Sequence, residues 1–79
     1  MTTVSYHGIA FTLDLKAIRE ALTRRELADG RTLAQVADAA GVSRMSLWRL
    51  LAGQRVALMT LHRVLTALEL DPKAILRTA

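Results

Sequence analysis

Thr32-Leu-Ala-Gln-Val-Ala-Asp-Ala-Ala-Gly-Val-Ser-Arg-Met-Ser-Leu-Trp-Arg-Leu-Leu-Ala-Gly53 reads as two short helices joined by a glycine turn. Thr32 followed three residues later by Gln35 is a capping box, in which each side chain satisfies a backbone N–H that the first helical turn leaves free. Leu33, Val36, Ala37 and Ala40 then recur at helical spacing and supply an inward face. Gly41 is the stop. After Val42, Ser43 is again a good N-cap, and Leu47, Leu50 and Leu51 mark the buried stripe of a second helix that ends near Gly53. Helix, tight turn, helix is a distinctive unit in so short a span.

Outward from this unit, helical periodicity continues on both sides. Asp14 is an N-cap candidate for a helix to about Leu27, with Leu15, Ile18, Leu22 and Glu26 or Leu27 at three- and four-residue steps and Asp29-Gly30 as its end. From Leu58, the residues Leu61, Val64, Leu65 and Leu68 predict a wide apolar helix face. Asp71 as N-cap with Pro72 in the first turn opens a last short helix, with Ile75 and Leu76 inward and Arg77 suited to its C-terminal dipole. Residues 1–13 differ. Val4, Tyr6, Ile9, Phe11 and Leu13 follow period two, broken once at His7-Gly8, which fits a bent strand, a small hairpin or an extended end that covers the core. The expected organisation is an N-terminal extended arm over 1–13 and an all-α, five-helix domain over 14–79, with the helix–turn–helix at 32–53.

Seventy-nine residues without cysteine allow one small core and no disulfide or thiolate–metal support. Leu and Ala dominate the 52% hydrophobic residues, and only three aromatics and one Pro occur, which is helix-forming material. Eleven Lys and Arg against seven Asp and Glu give a net charge of +4, so the expected partner is a polyanion. The distribution is sharper than the total. Between Asp38 and Glu69 there is no carboxylate, yet the stretch carries Arg44, Arg49, Arg55, His62 and Arg63. No run is apolar enough for a membrane span and no signal peptide is evident, so a cytoplasmic location is expected.

In a helix–turn–helix unit the second helix enters the DNA major groove, and its outer face must reach base edges. With Leu47, Leu50 and Leu51 inward, the helix over 44–53 turns Arg44, Met45, Trp48, Arg49 and Ala52 outward. Arg44 and Arg49 each offer a planar fork to guanine, Met45 suits a thymine methyl, and Ser46 suits phosphate or base. Trp48 is either a base or sugar contact or part of a protein interface.

The 32–53 stretch resembles the helix-turn-helix of the Cro and lambda-repressor (xenobiotic-response-element) family, notably in the spacing of Ala37, Gly41-Val42-Ser43, Leu47, Arg49, Leu50 and Gly53. Leu15-Lys-Ala-Ile-Arg19 resembles that family's first helix, and Leu58-Met-Thr-Leu, Ala67-Leu68 and Leu70-Asp-Pro72 resemble its fourth and fifth. The resemblance implies a compact five-helix domain that binds palindromic operators as a two-fold dimer and regulates transcription, usually by repression. It implies base contacts from Arg44, Met45, Trp48 and Arg49, and phosphate contacts from Thr32, Leu33, Ser43, Ser46, Gln54 and Arg55. Backbone N–H groups of Thr32 to Ala34 are natural phosphate donors there. Two positions depart from the family. Leu33 stands where many members have a phosphate-gripping glutamine, and Leu51 stands where many have a glutamate paired with the first-helix arginine. Arg19 is therefore expected at the surface or paired elsewhere.

No Cys or carboxylate lies at ligand spacing from His7 or His62, and Ser43, Ser46 and His62 make no nucleophile–base arrangement. The expectation is a non-enzyme without metal, cofactor or small-molecule ligand, with double-stranded DNA as partner and a homodimer as the assembly. The alternative is an antitoxin-like or other protein-binding module, partnered by a toxin or another regulator, with the 4–13 strand as docking edge and DNA binding secondary.

Overall fold

The computed structural model describes residues 2–78. Along them the chain forms β1 (Thr2–Tyr6), β2 (Ile9–Leu13), α1 (Leu15–Asp29), α2 (Leu33–Ala40), α3 (Arg44–Leu51), α4 (Leu58–Ala67), α5 (Pro72–Ile75) and β3 (Leu76–Thr78). The period-two segment is a hairpin, closed by the two residues His7 and Gly8 at φ 53° and 77°. Positive φ at both centres is the turn whose twist matches that of paired strands. The register Val4↔Phe11 and Tyr6↔Ile9 puts the alternating apolar residues on one face, and Val4, Tyr6 and Leu13 are buried there.

Four of the five helices start where the sequence places a cap, whereas α4 begins after Ala57 without a side-chain cap bond. Asp14 Oδ1 accepts from the Ala17 N–H at 3.1 Å. The Thr32–Gln35 box is reciprocal, with Thr32 N–H donating to Gln35 Oε1 at 2.8 Å and Gln35 N–H donating to Thr32 Oγ1 at 3.3 Å. Ser43 Oγ accepts from Ser46 N–H at 3.0 Å, and Asp71 Oδ1 from Lys73 N–H at 3.0 Å. These bonds occupy donors that a helix N-terminus otherwise leaves unpaired. Gly30 and Gly41 then close α1 and α2 in the left-handed region.

The fold is not all-α. Residues 76–78, expected to prolong the last helix, leave it after one turn and pair antiparallel with β2, giving a three-stranded sheet in the order β1-β2-β3. Arg77 thus lies on a strand, opposite Thr12. The far side of β2 carries unpaired backbone groups once β1 has taken the near side, and β3 satisfies them. The Asp14 N–H donates to the Ile75 carbonyl at 2.9 Å, at the junction where both chain segments change from helix to strand.

One cluster joins all these elements. Leu47 and Leu50 of α3, Leu61, Val64 and Leu65 of α4, Ile18 of α1 and Val36 and Ala37 of α2 pack with Val4, Tyr6 and Leu13 of the hairpin. The hairpin is therefore part of the core, and β2 is paired on both sides. β3 covers β2 along Phe11–Leu13, whereas β1, which carries the buried Val4 and Tyr6, is an outer strand of the sheet. Two leucines also differ from expectation: Leu27 is 82% exposed and Leu33 is 38% exposed. Leu27 lies nine residues from Ile18 and so on the opposite face of α1 from the buried stripe, and Leu33 opens α2 at its solvent end.

Candidate nucleic-acid interface

The fold holds α3 by its inner face and leaves the outer one open. Leu47 and Leu50 are fully buried, whereas Arg44, Met45, Trp48 and Arg49 are exposed, with Met45 at 56% and Trp48 at 59%. These four residues fall at i, i+1, i+4 and i+5, which is one side of an α-helix. A 59% exposed tryptophan costs burial energy that a core position would have recovered, so its place on the surface is notable.

Several side chains fix where α3 sits. Arg19 of α1 donates through Nη2 to the Leu51 carbonyl at 2.6 Å. Charge and hydrogen bond thus meet at the C-terminal end of α3, where free carbonyls and the helix dipole favour a cation. The arginine expected to lack its family partner has found a backbone one at the departing position. Arg63 of α4 donates through Nη1 to the Gly41 carbonyl at 3.4 Å, against the turn between α2 and α3.

Beyond α3 the chain reverses at Gly53, with φ of 82°. Gly53 N–H donates to the Leu50 carbonyl and Gln54 N–H to the Arg49 carbonyl, both at 3.0 Å. Nested bonds of this kind close a helix through a left-handed residue. The following Arg55 donates through Nε to the Ser5 carbonyl at 2.7 Å, and its guanidinium carbon lies 4.9 Å from the centre of the Tyr6 ring. Burial pushes the Tyr6 phenol above its ordinary pKa, and the Arg55 charge offsets part of that rise.

The residues expected at phosphates lie at the two helix starts and in this loop. Thr32, Ser43, Gln54 and Arg55 are exposed, and Ser46 is half-buried with its Oγ accepting from Ser43 Oγ at 2.9 Å. Of the backbone donors at the start of α2, that of Thr32 is already bonded to Gln35, which leaves the Leu33 and Ala34 N–H groups at the open end. Leu33 itself joins Arg44, Met45 and Trp48 around a shallow cavity of about 360 Å³. Helical spacing assigned Leu33 to the core, because 33, 36, 37 and 40 are one stripe. Its position in the family resemblance, where a DNA-touching glutamine stands, is the signal that pointed outward.

A second open cavity, of about 430 Å³, lies away from this face and is lined by Leu58, Met59, His62 and Leu65 of α4 with Pro72 and Leu76. Among the described residues no helix is long and apolar enough to cross a membrane. A family model described as a helix-turn-helix domain matches residues 10–77, from β2 through β3. No curated protein and no solved structure gives a significant match.

Proposed function

The chain belongs to the helix-turn-helix domain family, a family of DNA binding and transcription regulation, and from that premise we propose a sequence-specific repressor that binds a palindromic operator as a homodimer. The observation that carries this reading is the division of α3 into a fully buried inner stripe and an outer stripe of Arg44, Met45, Trp48 and Arg49. A helix presented this way fits the major groove, where arginine forks distinguish guanine and apolar groups meet thymine methyls. Thr32, Leu33, Ser43, Ser46, Gln54 and Arg55 set the register by holding phosphates, which carries affinity but no sequence information.

One recognition helix spans too few base pairs for useful specificity, so two copies reading half-sites about 34 Å apart are required. The apolar groove of Leu58, Met59 and Leu76 supports self-association. Repression follows from occupancy alone, since a dimer seated on a promoter excludes polymerase without a further contact. The same groove also favours the second reading, in which another regulator or a toxin docks there and DNA binding is secondary.

Fluorescence anisotropy with DNA from upstream of the chain's own gene and with a scrambled duplex, each across a salt series, tests the proposal. The expected result is a preference of 10³-fold or more, the low end for specific binders. Equal and steeply salt-dependent binding to both duplexes would reduce the face to an electrostatic patch and favour the protein-binding reading.

A further inference from the structure

The outer face of α3 is not uniformly polar. Leu33, Met45 and Trp48 are 38%, 56% and 59% exposed, and together with Arg44 they line one concave surface. Three large apolar side chains placed side by side on an otherwise basic face lose hydration free energy for nothing unless an apolar group fills the hollow. The major groove displays one apolar group among its base edges, the C5-methyl of thymine. We propose that the Leu33–Met45–Trp48 hollow is a methyl-reading subsite that selects thymine in the half-site. This rests on the DNA-binding reading above and deepens it.

Charge argues for DNA as the occupant and for thymine as the base. Arg44 is one of the residues lining the hollow, and from Ala39 to Leu68 the chain has no carboxylate. A methylated cytosine carries the same methyl group but also an N4 amine, a donor that glutamate or aspartate accepts in readers of cytosine. This stretch supplies neither. Thymine presents its O4 acceptor beside the methyl, and Arg44, one of the residues lining the hollow, carries a guanidinium donor suited to that acceptor. Donor and hollow together match thymine and mismatch cytosine. Leu33 is central to this, because the glutamine common at that position in the resembling family would fill the rim with a polar group.

The test uses the intact chain and duplexes that it selects from a random pool. Each selected duplex is then made in three forms: with thymine, with deoxyuracil at the same positions, and with 5-methylcytosine·guanine pairs replacing the thymine·adenine pairs. Uracil removes only the methyl, so the expected loss is about fourfold for each methyl that is read, the factor corresponding to one buried methyl-sized group. The 5-methylcytosine form is expected to bind no better than the uracil form. Trp48 is the chain's single tryptophan, so its fluorescence reports the hollow directly, and a shift on binding the thymine duplex is expected. Trp48→Ala and Met45→Ala, both at exposed positions assigned to bases and not to phosphates, should bring the thymine-to-uracil ratio toward one while leaving the salt dependence unchanged.

Tight binding with equal affinity for the thymine and uracil duplexes would overturn the subsite and leave the DNA-binding reading intact. Unchanged Trp48 fluorescence on tight DNA binding would show that DNA does not fill the hollow and would likewise overturn the subsite. No selected duplex at any salt concentration would overturn both readings.

Discussion

Tyr6 donates its hydroxyl proton to the carbonyl of Val56, fifty residues further along the chain, at 2.6 Å. The neighbouring pair runs the other way, with Arg55 Nε donating to the Ser5 carbonyl. Strand β1 and the loop that leaves α3 are thereby cross-tied through adjacent residues on each side. A hairpin with no residue on the outer face of α3 is thus one of the elements that position it, because the loop cannot move without breaking a buried bond.

Tyr6→Phe is expected to lower stability by about 1–2 kcal/mol, since it leaves the Val56 carbonyl without its buried partner. The pH dependence follows from the raised folded pKa of the phenol. Above pH 10 the unfolded chain releases the phenolic proton while the folded chain retains it, so stability is full below that pH and falls as pH rises through the folded pKa. Denaturant titrations between pH 8 and 11 should show this alkaline loss in the parent and a shallower one in Tyr6→Phe. Parallel curves for the two proteins would place the alkaline titration elsewhere.

Gly53 has a positive φ that few other residues adopt without strain. A Cβ at this position would meet Leu15 Cδ1 and Thr2 Oγ1, both at 3.5 Å, which is ordinary contact. The cost of Gly53→Ala is therefore conformational rather than steric, about 1 kcal/mol. In a chain of this size that corresponds to a melting temperature about 4–8 °C lower. A scan showing no decrease would mean that the loop can reverse in some other backbone conformation.

Arg49→Ala is expected to relax base preference at one position of each half-site, with discrimination there falling by about 1–3 kcal/mol. Affinities for a panel of single-base operator variants provide the measurement. A variant protein that ranks the panel as the parent does would remove Arg49 from base readout. Its effect on folding should be only a few tenths of a kcal/mol, from the loss of a cation in the last turn of α3.

Arg55→Ala should instead weaken binding to all sequences alike and reduce the slope of log affinity against log salt by about one phosphate contact. Because Arg55 also bonds Ser5 and lies over Tyr6, a melting curve for the free protein must accompany the titration. A changed base preference would show that Arg55 reaches into the groove.

Met59→Glu places a charge in the apolar groove formed by α4 and Leu76, at a residue that is 61% exposed and so tolerates the change in the free chain. On the proposed homodimer, the expected outcome by analytical ultracentrifugation is a shift from dimer in the parent to folded monomer in the variant, with weaker binding to a full palindrome and unchanged binding to a half-site. A variant that remains dimeric would move the pairing surface away from α4.

What could be read without a structure was local. Asp14, Thr32 with Gln35, Ser43 and Asp71 cap helices through contacts of two to three residues, and Gly30, Gly41 and Gly53 end helices by their own backbone freedom. The outward stripe of Arg44, Met45, Trp48 and Arg49 follows from helical phase, because Leu47 and Leu50 leave no other face for the core. Tertiary structure alone decided the rest. Nothing near Leu76-Arg77-Thr78 announces a strand; these residues extend because β2, brought from the opposite end of the chain, has an edge to satisfy. Arg19 finds the Leu51 carbonyl, and Tyr6 the Val56 carbonyl, only once distant segments meet. Leu33 belongs by periodicity to a buried stripe, yet no neighbouring element covers it at the end of α2. Short-range hydrogen bonding and helical phase are properties of a few consecutive residues, whereas sheet closure and exposure depend on which surfaces the folded chain brings together.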